Sequence, residues 1–240
     1  MNDKLQVLDL FAGIGGFSLG LERTGGFETT AFCEIKDYPR RVLAKHWPDV
    51  PIYKDVRELT GDAVGTPDVI CGGPPCQPFS RAGERRGAED DRFLWPEMAR
   101  LVEATKPDWV ITENVVDLIS LGLDDILSDL DRAGYTSATF VIPAVGVDAR
   151  HRRDRLFIVS NAGGQRLPLP QQSPPQRAPT WRAEVGPATP EFLEWPSEPN
   201  VARVAYGVPN RVDRIKALGN SIIPRIATII GHAILEANIG

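Results

Sequence analysis

The 240-residue sequence has little cysteine, histidine or methionine: three, three and two residues respectively. Cys33, Cys71 and Cys76 show no C-x-x-C spacing, and His46, His151 and His232 are scattered. That excludes a disulfide framework and argues against a zinc centre, so no metal is expected. No run approaches 18 consecutive apolar residues, so no membrane span is expected. The opening Met1-Asn2-Asp3-Lys4 leads straight into a strand pattern without a signal-peptide core, which predicts a cytoplasmic protein. Nor is there an excess of positive charge: 27 basic residues against 32 acidic give a net of −5. This balance disfavours a nonspecific nucleic-acid coat protein but leaves room for a local basic groove. No 20- to 50-residue repeat is visible.

What is present is an ordinary globular composition, with 42% hydrophobic and 25% charged residues. Residues 5–10, Leu-Gln-Val-Leu-Asp-Leu, predict a buried strand. A glycine-rich turn, Phe11-Ala12-Gly13-Ile14-Gly15-Gly16, and a helix to about Arg23 follow. Further strands are predicted at 28–34, 68–71, 109–113, 136–142 and 156–159. Helices are predicted at 37–46, 93–105, 123–132 and 222–237, with Trp47-Pro48 and Gly134 as stops. The alternation implies an α/β sheet with helices on both faces, whose ligands sit at the carboxyl ends of the strands. Residues 161–200 break the pattern, holding 9 of the 21 prolines with no periodicity. They read as an insertion, or as a recognition loop carrying Trp181, Arg182 and Trp195.

Four pieces could carry chemistry. The turn after the first strand lets the backbone approach a ligand, although Ser18 stands where a dinucleotide fingerprint needs its third glycine. Glu34, ending the second strand, is placed to accept hydrogen bonds from ribose hydroxyls. In Gly72-Gly73-Pro74-Pro75-Cys76-Gln77, the glycines and prolines would hold the Cys76 thiol in a fixed orientation as a nucleophile, while Cys71 reads as a core residue. Glu113, in Glu113-Asn114-Val115, could be desolvated and so hold a proton for a ring nitrogen. In Arg150-His151-Arg152-Arg153-Asp154-Arg155, alternation puts Arg153 and Arg155 on one face, suited to carboxylates, phosphates or base carbonyls.

In order and spacing, these pieces resemble the cytosine-5 DNA methyltransferases. The matching stretches are Asp9-Leu10-Phe11-Ala12-Gly13-Ile14-Gly15-Gly16, Gly73-Pro74-Pro75-Cys76-Gln77-Pro78-Phe79-Ser80 and Glu113-Asn114-Val115. Two later ones are Arg153-Asp154-Arg155-Leu156-Phe157-Ile158-Val159 and Gly219-Asn220-Ser221-Ile222-Ile223-Pro224. The resemblance covers about residues 5–160 and 207–238. It implies a Rossmann-like methyltransferase fold: a mixed, mostly parallel sheet with helices on both faces plus a small irregular target-recognition region. The implied organisation is a catalytic and cofactor-binding domain at 1–160, a proline-rich recognition region at 161–206 and a returning segment at 207–240.

The resemblance further implies S-adenosyl-L-methionine as cofactor, with S-adenosyl-L-homocysteine as product. Phe11, Ala12, Gly13, Ile14, Gly15 and Gly16 would surround it, Glu34 would hold its ribose, and Ile35 and Asp55 would meet its adenine. Pro75, Leu94, Asn220 and Ser221 would complete the pocket. Cys76 would attack carbon 6 of a cytosine flipped out of double-stranded DNA. Glu113 would act at ring N3, Arg155 at the base carbonyl, and Arg153 would orient the carboxylate or nearby groups. Gln77, Ser80, Arg81 and Arg85 would meet DNA from a loop at 77–92. The family's glutamine before the arginines is replaced by His151. A single catalytic domain implies a monomer, with a cognate restriction endonuclease as the partner such enzymes accompany. The alternatives are an RNA cytosine-5 methyltransferase of the same fold, whose Cys-Phe-Thr element is not seen, and a non-catalytic DNA-binding relative.

Overall fold

Short apolar runs recur along the chain, and those around Leu8, Phe32, Ile70, Val110 and Phe157 become strands of one seven-stranded sheet. The computed structural model describes residues 4–75, 94–147, 153–164 and 211–238. The strands are β1 (Leu5–Leu10), β2 (Phe27–Cys33), β3 (Ile52–Tyr53), β4 (Val69–Gly72), β5 (Trp109–Val115), β6 (Thr136–Pro143) and β7 (Asp154–Asn161). Their order is β3-β2-β1-β4-β5-β7-β6, and only β7 runs against its neighbours. The helices are α1 (Gly16–Glu22), α2 (Asp37–His46), α3 (Gly61–Val64), α4 (Trp95–Thr105), α5 (Leu118–Leu121), α6 (Leu123–Arg132), α7 (Arg211–Asn220) and α8 (Pro224–Ala237).

Strand alternation divides the core into two faces. Leu8, Leu10, Ile70, Val110, Leu156 and Ile158 pack against Met98, Leu101, Val102, Ile126 and Leu130 of α4 and α6. Their alternates Val7, Val69, Ile111, Phe157 and Val159 pack against Phe17 and Leu21 of α1 and Ile226, Ala227, Ile230 and Ile234 of α8. Helices therefore cover both faces, as the alternation requires. Lys216–Ala237 is long and apolar enough to cross a membrane, but Ser221–Ile223 interrupts it and Ile226, Ile230 and Ile234 enter this core.

The expected elements are present; the short helices α3 and α5 were not among them, and four further differences follow. Glu113 lies inside β5, not at its end, because β7 continues the ladder to the Val115–Arg155 pair. β3, at two residues, is too short to show a period. Helix α7 was not expected, and its weak amphipathic pattern is the reason. The last helix begins at Pro224, which suits the first turn because its missing N–H has no partner to lose there. The proline-rich stretch from 165 to 206 lies outside the described residues, as do 76–93 and His151.

Candidate active site

Parallel β1, β2, β4 and β5 deliver their carboxyl ends to one edge of the sheet, and antiparallel β7 brings its first residues to the same edge. Two groups of side chains meet there.

The first group surrounds the turn after β1. Phe11, Gly13 and Gly15 all have positive φ (54°, 56° and 83°). Glycine adopts that region readily, whereas Phe11 is held there at some cost. The turn is closed by Gly15 N–H donating to Ala12 O at 2.8 Å and fastened to β2 by Ala12 N–H donating to Cys33 O at 3.1 Å. Glu34, only 7% exposed, accepts from Gly13 N–H and Lys36 N–H, each at 2.8 Å. Nothing lies within 4 Å of the position a Cβ on Gly13 would take, so the turn faces open space beside Glu34. Ile35 is 51% exposed at this edge, available to cover a flat apolar ring. Asp55, expected to meet the adenine, is paired with Arg57. Both its oxygens accept from Arg57, at 2.9 and 2.6 Å, and those bonds hold its carboxyl down to about 2. Leu94 packs partly buried against the α4 core, and Pro75 is the last described residue before Cys76.

Support for this turn comes from residues the sequence did not single out. Asp9, wholly buried beneath it, accepts the Ser18 hydroxyl at 2.8 Å, and its Oδ1 has no partner among the described residues. Burial pushes its carboxyl up to about 7 despite that bond. Trp47 is more than a helix stop. Its Nε1 donates to Glu22 at 2.9 Å, and its ring fills the space beside Gly15, 2.7 Å from where a Cβ would sit. A tryptophan closing a helix just before proline is the signal that could have pointed to it.

The second group centres on Glu113, whose side chain is 14% exposed. Arg155 Nε lies 2.8 Å from Glu113 Oε1. Burial pushes the Glu113 carboxyl up, while Arg155 and Arg153 pull it down; burial prevails. Its other oxygen faces the loop after β4: a Cβ on Gly73 would come within 3.1 Å of Glu113 Oε2. Asn114 fastens that loop, donating to Pro74 O at 3.2 Å. Glu113, Arg153, Arg155, Phe157, Ser221 and Ile222 line one small cavity. The two arginines have different partners. Arg155 takes the carboxylate, and Arg153 donates to Ser221 O at 2.8 Å. Asn220 is exposed at the end of α7, next to that carbonyl. Cys76, Gln77, Ser80, Arg81 and Arg85 lie outside the described residues. Among the described residues no cluster of three or more metal-ligating side chains occurs.

A family model described as C-5 cytosine-specific DNA methylase matches residues 5–207. The chain is 36% identical over 163 residues to the type II methyltransferase M.AplI of Arthrospira platensis, a match covering 67% of this chain and 46% of that one. It is also 36% identical over 162 residues to the type II methyltransferase M.HgiBI of Herpetosiphon aurantiacus, covering 65% and 37%. The chain thus spans less than half the length of these relatives. Among solved structures, a protein from an E. coli prophage, described as a candidate DNA modification methyltransferase, matches with a TM-score of 0.57 and 28% identity. That match covers 66% of this chain and 47% of the other. A Spodoptera frugiperda DNMT2 mutant shares the fold, with a TM-score of 0.60 and 20% identity over 71% of this chain and 54% of that one. With its matched model spanning most of the sequence, the chain belongs to the C-5 cytosine-specific DNA methylase family.

Proposed function

We propose that this protein is a DNA (cytosine-5-)-methyltransferase acting in the cytoplasm on double-stranded DNA, with S-adenosyl-L-methionine as methyl donor. The observation that carries the reading is the seating of Glu113: largely buried, paired with Arg155, and pressed against Gly73, three residues before Cys76.

The cofactor reading is supported by the open space at Gly13 and by a buried acid, Glu34, at the end of β2. Glu34 and the 11–16 turn would hold the donor's ribose and methionine parts, with Ile35 against the adenine and Pro75, Leu94, Asn220 and Ser221 around it. The donor supplies an electrophilic methyl group on a sulfonium sulfur.

Carbon 5 of cytosine is a weak nucleophile. Attack of the Cys76 thiolate on carbon 6 forms a carbon–sulfur bond and shifts the ring's electrons toward carbon 5 and N3. Glu113 meets the developing charge with a proton or hydrogen bond at N3, which its raised pKa favours. Arg155 holds that carboxylate and adds positive charge on the base side. Once carbon 5 is methylated, loss of its proton and departure of Cys76 restore the aromatic ring. The target carbon is inaccessible within a duplex, so the cytosine must leave the stack. Gln77, Ser80, Arg81 and Arg85 would contact the DNA around it. The relatives are named type II methyltransferases, and a cognate restriction endonuclease is the partner this reading brings with it.

The test is base-resolution 5-methylcytosine sequencing of plasmid DNA from a methylation-deficient host expressing the chain, beside a Cys76→Ala control. Modified cytosines in a shared context, absent from the control, are expected. Covalent trapping on 5-fluorocytosine DNA but not on the transfer RNA equivalent separates DNA from RNA as substrate. A soluble protein that leaves all plasmid cytosines unmodified would overturn the reading.

A further inference from the structure

The turn Ser221–Ile223, between α7 and α8, is held from two sides. On one side it abuts the glycine turn. A Cβ on Gly16 would come within 2.4 Å of Ile222 Cγ2, 2.9 Å of Ile222 O and 3.0 Å of Ser221 Oγ. On the other side Arg153 Nη1 donates to Ser221 O at 2.8 Å. The Ser221 hydroxyl donates to Ile222 O at 3.0 Å, so the turn is also braced internally. Arg153 and this turn share a cavity wall with Glu113 and Arg155. Glu113, however, is engaged by Arg155, and the Nε of Arg153 is buried without a hydrogen-bond partner among the described residues.

We propose that Arg153 is a positioning residue for the cofactor pocket: it clamps the Ser221 turn against Gly16 and so acts on methyl-donor affinity rather than on the cytosine. A guanidinium on a main-chain carbonyl is a charge-assisted bond that no side-chain change at Ser221 can remove. Its loss frees a turn whose other side is the wall of the glycine loop. The proposal rests on the reading of that loop as the methyl-donor site.

The test uses the full chain and S-adenosyl-L-homocysteine, measured calorimetrically, alongside steady-state methylation of DNA. Arg153→Met should weaken S-adenosyl-L-homocysteine binding about tenfold, the size expected for a lost charge-assisted hydrogen bond. The KM for the donor should rise in step, and kcat should fall by less than KM rises. Arg153→Lys, which still offers a donor to Ser221 O, should recover most of the affinity. Arg155→Lys should show the opposite split, with its larger loss in kcat. If Arg153→Met does not fold, the comparison of Arg153→Lys with Arg153→Gln decides by the same split. Unchanged affinity with a fallen kcat would overturn the proposal and return Arg153 to the base side. Failure of the wild-type chain to bind S-adenosyl-L-homocysteine would overturn both this proposal and the cofactor reading, whereas binding without DNA methylation would overturn only the proposed function.

Discussion

The side-chain amide of Asn114 donates to the main-chain carbonyl of Pro74 at 3.2 Å, and its Oδ1 accepts from Val115 N–H at 2.9 Å. The residue after the proposed acid therefore holds the loop that leads to the proposed nucleophile. Glu113 and the loop as far as Pro75 are thus tied together by one short segment. Asn114→Ala should lower the single-turnover methylation rate about tenfold, since slight misplacement of reacting groups is costly. Asn114→Asp keeps the acceptor for Val115 but loses the donor to Pro74, and should do likewise. Binding of S-adenosyl-L-homocysteine should stay within about twofold for both. A parallel loss of cofactor affinity would show that Asn114 supports the whole edge of the sheet.

Glu113 combines burial, which raises its pKa, with two arginines that lower it, and the net direction is upward. The carboxyl thus keeps its proton to a higher pH than an exposed glutamate does. Activity that needs this proton should decline as pH rises through the raised pKa, whereas formation of the Cys76 thiolate favours higher pH. Glu113→Gln should lower kcat by about a hundredfold or more and remove the alkaline decline. A pH profile of kcat at saturating donor and DNA checks both effects. An unaltered alkaline limb in the variant would assign that limb to another group.

Asp9 gives a stability prediction of definite sign. Its carboxyl lies at about 7 in the fold against an ordinary 3.8, through burial. Between those values the folded chain binds a proton that the unfolded chain has released. Its contribution to stability therefore falls as pH rises from about 4 to about 7 and is level above that. Asp9→Asn should abolish this slope, shrinking the stability difference between pH 5 and pH 8 by about 3 kcal/mol. Urea unfolding at the two pH values measures it, and an unchanged slope would place the titration elsewhere.

The sequence made the scaffold legible because strand and helix periods are strong in the apolar runs around Leu8, Ile70, Val110 and Ile230. The edge holding the 11–16 turn, Glu34 and Glu113 could be located for the same reason, since those residues follow or end the predicted strands. What could not be read was which partner each charged group would choose. Arg153 and Arg155 differ by two positions on one face, and only the closing of the chain's last segment onto the sheet separates their partners. Asp55 was likewise a carboxylate near a strand, and its capture by Arg57 depends on local rotamers. The two-residue β3 owes its form to pairing with β2, which carries no period along the chain.

Gly20 lies where α1 and α8 cross, and it ties the glycine turn to the last helix. A Cβ there would stand 2.2 Å from Pro224 O and 2.6 Å from Ala227 Cβ. Neither atom is the end of a flexible side chain, so Gly20→Ala must move one helix against the other. The crossing is reinforced by Thr228, whose hydroxyl donates to Gly20 O at 2.8 Å. The cost should be about 1–3 kcal/mol, as for overpacking elsewhere, outweighing the gain in helix propensity. Because Pro224 directly follows the Ser221–Ile223 turn, the displacement should also loosen the contact of that turn with Gly16. A thermal melt and a calorimetric titration with S-adenosyl-L-homocysteine on the same sample separate the two effects. Lower stability with weaker binding is expected, whereas lower stability with unchanged binding would mean that the turn is held from the Arg153 side alone.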